Sequence, residues 1–516
     1  MPSAQTDALF VLIKSLTKAE KRSFKLYANR NQNSGDLKFI QLFDVLDKMA
    51  TYDDALIAEK MNKLKGTRLS NLKRHLYKQI LISLRLIHIQ KNIDIQIREQ
   101  IDFAKILYGK GLYLQSLKLL DRILPIANDH HQDLLSLEIL EFQKLIEERH
   151  ITRSRQVKGK VEDLIKAATN RSQIIDNACR LSNLKIKIHG WYIQIGHAKN
   201  DKDRIMVQEY FHSNLPKVKP DDLTFFERVY LHQSYVWYYY ILLDFASCFE
   251  HARQWTEMFD ATEALKEEDP DLYMRGLHYV LTSLYNMGET ERFAHYLSVF
   301  NTFEKQAAAS FSTISKTIAF LYGDTARINQ HYLKGTFKEG VPLVKTIIKK
   351  IKQYEIHLDQ HRIMVFNYKI AYLYFGAGHY DEALDYLNRI INLKAGHLRE
   401  DIQSYARILH LLCHFELSHY ELLEYLVASV HRFLQKFEEL NQVQRETLNF
   451  IKQFIRMPLV KDKTLLIKFQ NRLSEIADDP YERRALLNLD VLSWAECKIE
   501  DISLSEKIQQ KLQEKN

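Results

Sequence analysis

The chain has 516 residues, among them only 15 Gly and 8 Pro. These fractions, about 3% and under 2% against averages of roughly 7% and 5%, disfavour sandwiches, barrels, propellers and glycine-rich phosphate loops. The formal net charge of +8 sits entirely in residues 1–100, which hold 18 Lys or Arg and 10 Asp or Glu; the remainder is balanced.

What is left is rich in Leu, Ile, Lys, Glu, Gln and Ala, mostly good helix formers, so an all-α fold is expected. The first eighteen residues carry a single short apolar stretch, Ala8 to Ile13. That is too short for a signal peptide core, and no small-residue cleavage site follows. Thr17-Lys18-Ala19-Glu20 reads as a capping box opening a helix that runs to about Arg30. A second helix is expected over Leu37 to Met49 and a third over Asp53 to about Lys63. Gly66 breaks the chain. A long helix then starts near Thr67 to Ser70 and runs past Ile87, with Leu69, Leu72, Leu76, Ile80, Leu84 and Ile87 at amphipathic spacing. From Lys60 to Ile93 the chain holds nine basic residues and no acid. Such a stretch is either a solvated helix face or a surface for something anionic, with Lys63, Lys65, Arg68, Lys73, Arg74 and Lys78 as the candidate nucleic-acid contacts. Gly66 and the helix after it loosely resemble a helix-turn-helix.

Beyond about residue 95 the sequence becomes repetitive. The clearest unit runs from Tyr368 to Leu393: a helix ends at Gly376 to Gly378, Tyr380 follows the turn, and a second helix begins with Asp381-Glu382-Ala383. Ile370, Ala371, Tyr374, Gly378, Tyr380, Ala383 and Leu387 resemble the signature of the tetratricopeptide repeat. With Tyr380 as anchor, weaker copies can be laid on Tyr113, Phe245, Thr290, Phe337 and Tyr420. Each has an aromatic five residues before its anchor (Tyr108, Tyr240, Tyr285, Tyr332, Phe375, Phe415) and apolar residues seven and ten after it. The pair of small residues that lets two helices approach is clean only at Ala104/Ser116 and Ala371/Ala383. Elsewhere Val236/Cys248 is the best, and Leu281/Phe293 breaks the pattern. From Phe245 onward the anchors lie 40 to 47 residues apart, longer than the family's unit of about 34 residues.

Between Tyr113 and Phe245 the segments Leu134 to Arg149, Lys160 to Ala168 and Asn177 to Ile195 read as helices, with breaks near Gly159 and Gly196. Asn214 to Asp222, with Pro216 and Pro220, reads as a loop. Pro458 and Pro480 mark further breaks. The organisation expected is a basic helical unit over 1–95, a repeat array over 96–502, and a polar helix over 503–516 covering the end of the array. The longest mid-chain apolar run, Tyr235 to Leu243, is far short of the ~20 residues that span a bilayer. Four scattered cysteines suggest neither a disulfide framework nor a Cys-x-x-Cys metal site. A cytoplasmic protein is expected.

No sequence pattern for catalysis stands out, and neither an enzyme nor a cofactor is expected. His410, Cys413 and His414 share a helical face that can bind zinc, yet in the repeat register both histidines fall at packing positions. No metal is expected there. The resemblance instead implies a superhelix whose first helices line a concave groove, the residues five, eight and twelve before each anchor facing it. These are Gln233, Trp237 and Tyr240; His278, Thr282 and Tyr285; Asn329 and Tyr332; Tyr368, Tyr372 and Phe375. Such a groove suits a protein or peptide partner. The expected function is a non-catalytic binding scaffold or adaptor. The alternative is a regulator whose basic N-terminal unit binds DNA or RNA.

Overall fold

A computed structural model describes residues 7–30, 37–61, 66–89, 92–150, 159–393, 399–435, 441–456 and 463–515. Among them there is no strand. The fold is all-α, as composition led one to expect. Contacts divide the chain into two compact units, Met1–Asp176 and Asn177–Asn516, and the division falls inside a helix rather than near residue 95.

The first unit holds α1 (Ala8–Ser15), α2 (Lys18–Arg30), α3 (Leu37–Lys48), α4 (Asp54–Lys60), α5 (Thr67–His88), α6 (Ile93–Gly109), α7 (Tyr113–Asp129), α8 (Asp133–His150) and the first part of α9 (Lys160–Ile195). Its start is a small helical cluster in which α5 packs on α1, α2 and α3. Phe24, Leu42, Phe43, Leu46, Leu76 and Ile80 are almost wholly withdrawn from water there. The capping box is present: the Thr17 amide donates to Glu20 Oε2 at 2.7 Å, and the Glu20 amide to Thr17 Oγ1 at 3.2 Å. α9 is one continuous helix where two were expected. Thr169 to Asp176 contains no Gly or Pro, so nothing interrupts the main-chain ladder.

The second unit continues with α10 (Asp201–Asn214), α11 (Phe225–Ile241), α12 (Phe245–Asp260), α13 (Glu263–Glu268), α14 (Pro270–Met287), α15 (Thr290–Ala307), α16 (Thr313–Lys334), α17 (Phe337–Gly340), α18 (Pro342–Gln353), α19 (Gln360–Gly376), α20 (Tyr380–Ile391), α21 (Glu400–Glu416), α22 (Tyr420–Gln435), α23 (Gln442–Arg456), α24 (Lys463–Asp478), α25 (Arg484–Asn488), α26 (Val491–Glu500) and α27 (Leu504–Lys515). Consecutive helices pair, and the first helix of one pair packs on the first helix of the next, α14 on α16, α16 on α19 and α19 on α21. The loop with two prolines lies between α10 and α11. Pro342, which has no amide hydrogen to donate, opens α18 and splits one second helix in two.

The register set by the aromatic anchors matches these pairs. Tyr113, Phe245, Thr290, Phe337, Tyr380 and Tyr420 are each the first residue of a second helix. The residues seven and ten beyond each anchor are all buried. The turn before each anchor is also the same. Two residues before the anchor the chain takes a positive φ, at Gly111, Leu243, Gly288, Gly335, Gly378 and Ser418. There the amide donates to the carbonyl of the aromatic that ends the first helix, and the next amide reaches one residue further back. This is the Schellman arrangement, which satisfies two orphan carbonyls at once. Behind the turn, residues twelve apart meet across the pair: Ser116 Oγ donates to the Ala104 carbonyl at 2.8 Å, and Cys248 Sγ to that of Val236 at 3.5 Å.

The last helix does not simply cover the final pair. α27 packs on α26 and returns to α16, where Gln509 Nε2 donates to the Gly335 carbonyl at 3.4 Å. α26 is tied to α21 through Glu416, which accepts from Trp494 Nε1 and Lys498 Nζ, each at 2.6 Å.

Candidate functional site: the wall of first helices

Side-chain contacts link each of five helices of the second unit to the next. His189 on α9 packs on Trp237 of α11, ring centres 4.2 Å apart, and Trp237 meets Tyr279 of α14 edge-on at 5.5 Å. His278, next to Tyr279, stacks on Tyr322 of α16 at 4.1 Å and 9°. Asn329 on α16 accepts from Lys369 Nζ of α19 at 2.6 Å, and Tyr332 meets Tyr372 edge-on at 4.9 Å. The Tyr332 hydroxyl donates to the Lys369 carbonyl. Every first helix of this region thus presents an aromatic or amide side chain to its neighbour.

The eleven positions singled out from sequence fall into two groups. Trp237, Tyr240, His278, Thr282, Tyr285 and Tyr368 keep part of their surface open to solvent. Gln233, Asn329, Tyr332, Tyr372 and Phe375 are buried. Phe375 packs on Tyr372 and Tyr380, so the aromatic five before the anchor serves packing between helices in that copy. Tyr240 and Tyr285 are only partly covered, although Tyr240 packs on Phe245 and Tyr285 against the apolar core.

The wall also carries cations that the register did not single out. Lys185 on α9, Arg275 on α14 and Lys369 on α19 each lack an ion-pair partner among the described residues. Burial pushes the Lys369 ammonium down to about 8, and the rings of Tyr285 and Tyr332 lie 5.8 and 5.6 Å from it. Lys185 is lowered by burial and then by Arg275. His189 is lowered by burial, then by Lys185 and Arg275. His278 is held at about 3 by burial, then by Arg275 and Lys369. His189 and His278 thus each feel two of these cations. Of the acids of this region, Asp269 also feels the charge of Arg275. Asp269 caps α14 through the Leu272 amide, Asp490 caps α26 through the Ser493 amide, and Asp401 is clasped by Arg399. Sequence reasoning missed Lys369 and Arg275 although a signal existed: they lie three residues before Tyr372 and three before His278, a spacing that shares a helical face.

Other candidates resolve differently. His410 and His414 are buried in the helix interface, as their register positions suggest; burial holds His410 at about 4, and His414 Nδ1 lies 3.0 Å from His419 Nδ1. Among the described residues no group of three or more His, Cys, Asp or Glu could hold a metal ion. A cavity of about 340 Å³ lies beneath α26 and α27, walled by Phe337, Tyr380, Glu416 and Trp494. Its buried carboxylate, Glu416, already has Lys498 and Trp494 as partners.

In the first unit Lys63 and Lys65 lie outside the described residues. Lys73 turns inward, where it pairs with Asp7 at 2.9 Å and Asp54 at 3.3 Å and lies over the Tyr52 ring. It therefore leaves the solvent-facing set expected from sequence. Arg68, Arg74 and Lys78 are exposed, and so are Arg85, Tyr77 and Leu81 on the same helix. No helix among the described residues is long and apolar enough to cross a membrane. The chain matches no described protein family, no curated protein and no solved structure.

Proposed function

We propose that the chain is a tetratricopeptide-like binding scaffold that acts without catalysis in the cytoplasm, and that the wall of first helices is the inner face of a superhelix that holds a polypeptide partner. The observation that carries this reading is the set of contacts between successive first helices, His189 on Trp237, Trp237 on Tyr279, His278 on Tyr322 and Asn329 with Lys369, in which Trp237, His278 and Lys369 stay partly open to solvent. Aromatic rings supply large contact area at low entropic cost, and histidine, amide and hydroxyl groups meet a main chain. Display of a random peptide library on the intact protein tests it. Peptides enriched by the protein and lost on Trp237→Ala support the reading. Enrichment indifferent to Trp237→Ala and to Tyr285→Ala contradicts it.

A second reading rests on α5, whose exposed Arg68, Arg74, Lys78 and Arg85 alternate with Tyr77 and Leu81. This face suits a nucleic-acid backbone, whose binding falls steeply with salt. A gel shift at low and high salt, repeated with Arg74→Glu/Lys78→Glu, decides it: no shift at low salt removes this reading.

A further inference from the structure

We infer that the wall already holds an occupant of its own: residues 479–490, between α24 and α26, form a strap that lies against it as a leucine-anchored segment, and the polypeptide partner is a segment of the same kind that displaces the strap. The inference rests on the reading above and adds what the partner resembles and what it must remove. Contacts far apart in sequence pin the strap. The Tyr481 hydroxyl donates to Asp201 Oδ1 of α10 at 2.5 Å, and Arg484 Nη1 to the His197 carbonyl at 3.3 Å. The Asn488 carbonyl accepts from the Tyr368 hydroxyl of α19 at 2.8 Å, and Glu482 Oε2 accepts from the Gln442 amide at 3.0 Å. The Asn488 side chain meets the Tyr405 hydroxyl of α21, and the Asp490 amide approaches that of Tyr372. Between Asn488 and Asp490, Leu489 is extended, with φ −151° and ψ 105°, and buried in the core that includes Tyr372 and that Tyr368 and Tyr405 pack against. A main-chain carbonyl, a buried leucine and a main-chain amide in succession hold an extended peptide: the main chain supplies affinity and the side chain fixes register.

The strap can leave without unmaking its surroundings. Of its twelve residues only Ala485 and Leu489 are buried. Its one short helix, α25, has five residues, too few to hold its shape alone. Both flanks are anchored independently. Phe469, Leu473 and Ile476 of α24 are buried, and Trp494 and Lys498 tie α26 to Glu416. Lifting the strap therefore withdraws only two fully buried side chains from the core and leaves both neighbouring helices in place. A segment tethered in this way meets its site at an effective concentration on the order of millimolar. An outside segment must compete with that, so it binds weakly until the strap is loosened.

The test is an anisotropy titration of the full chain with a labelled peptide of residues 479–490, Asp-Pro-Tyr-Glu-Arg-Arg-Ala-Leu-Leu-Asn-Leu-Asp. The control is the same peptide carrying Leu489→Asp. The wild-type chain is expected to bind the peptide weakly, the chain carrying Leu489→Ala to bind it at least about tenfold more tightly, and neither to bind the control. Tyr368→Phe added to Leu489→Ala is expected to reverse part of the gain, because the hydroxyl that holds Asn488 is lost. Circular dichroism checks that Leu489→Ala is folded. If it is not, Tyr481→Phe/Arg484→Gln, which removes two partly exposed tethers, gives the same reading with a smaller gain. Equal binding by the wild type and the folded variant, no binding of the peptide to any of them, or equal binding of the control peptide overturns the inference. Should library peptides bind through Trp237 alike in the wild type and these variants, the scaffold reading stands and only the strap as a competitor is lost.

Discussion

At the residue scale, the six Schellman turns make sharp comparisons. Gly335 and Gly378 both sit at positive φ, but a Cβ on Gly335 would meet the Ser505 carbonyl at 2.7 Å, whereas one on Gly378 meets nothing within 4 Å. Gly378→Ala should cost about 1–2 kcal/mol of backbone strain alone. Gly335→Ala should cost at least about 1 kcal/mol more, since the obstructing atom is main chain. Denaturant unfolding of the two variants measures the difference, and equal losses would show that α27 does not press on this turn. Ser418 and Leu243 occupy the same position without being glycine. Ser418 is exposed, so Ser418→Gly should gain about 0.5–1 kcal/mol by removing the strain. Leu243 is buried, and Leu243→Gly should lose stability overall because burying a leucine side chain is worth about 1.5–3 kcal/mol. A gain from Leu243→Gly would mean that strain outweighs burial at this turn.

At the element scale, much was legible because helix pairs leave a strong trace in sequence. An aromatic five residues before each anchor and two apolar positions at fixed offsets after it marked the turns that precede six second helices, even where the small-residue pair fails at Leu281/Phe293. That failure is harmless because both side chains are themselves buried apolar packing groups. What sequence hid was of two kinds. The joining of two expected helices into α9 depends on the absence of a breaker, which periodicity does not register. The inward turn of Lys73 depends on Asp7 and Asp54, distant in sequence and brought close because α1 and α4 both pack on α3. The division of the proposed site into buried and open positions was likewise invisible, because Tyr372 and Trp237 hold the same register position and differ only in what neighbouring helices cover.

At the scale of the second unit, burial of neutral histidines sets a response to acid. His197, His232, His251 and His410 are each held at about 4, burial being the largest cause. In the unfolded chain they take up protons near pH 6.5. Between about pH 6.5 and 4 the unfolded chain therefore binds more protons, and folding stability falls as pH is lowered through that window. The thermal midpoint should drop across this range, and His232→Gln/His251→Gln should flatten part of the drop. A midpoint unchanged between these pH values would contradict the burial assigned to these rings. The close approach of His232 Nδ1 and His251 Nδ1, 3.1 Å, makes a second charge there unfavourable as well.

A contrast between first and second helices gives the most direct measurement. A photo-crosslinking amino acid replaces Trp237 or His278 on first helices, or Tyr425 on the second helix α22, where the ring is 66% exposed. Each variant is irradiated in the cell that makes the protein. The account predicts covalent polypeptide adducts from positions 237 and 278 and none from 425. Adducts from 425 with none from the wall would contradict it.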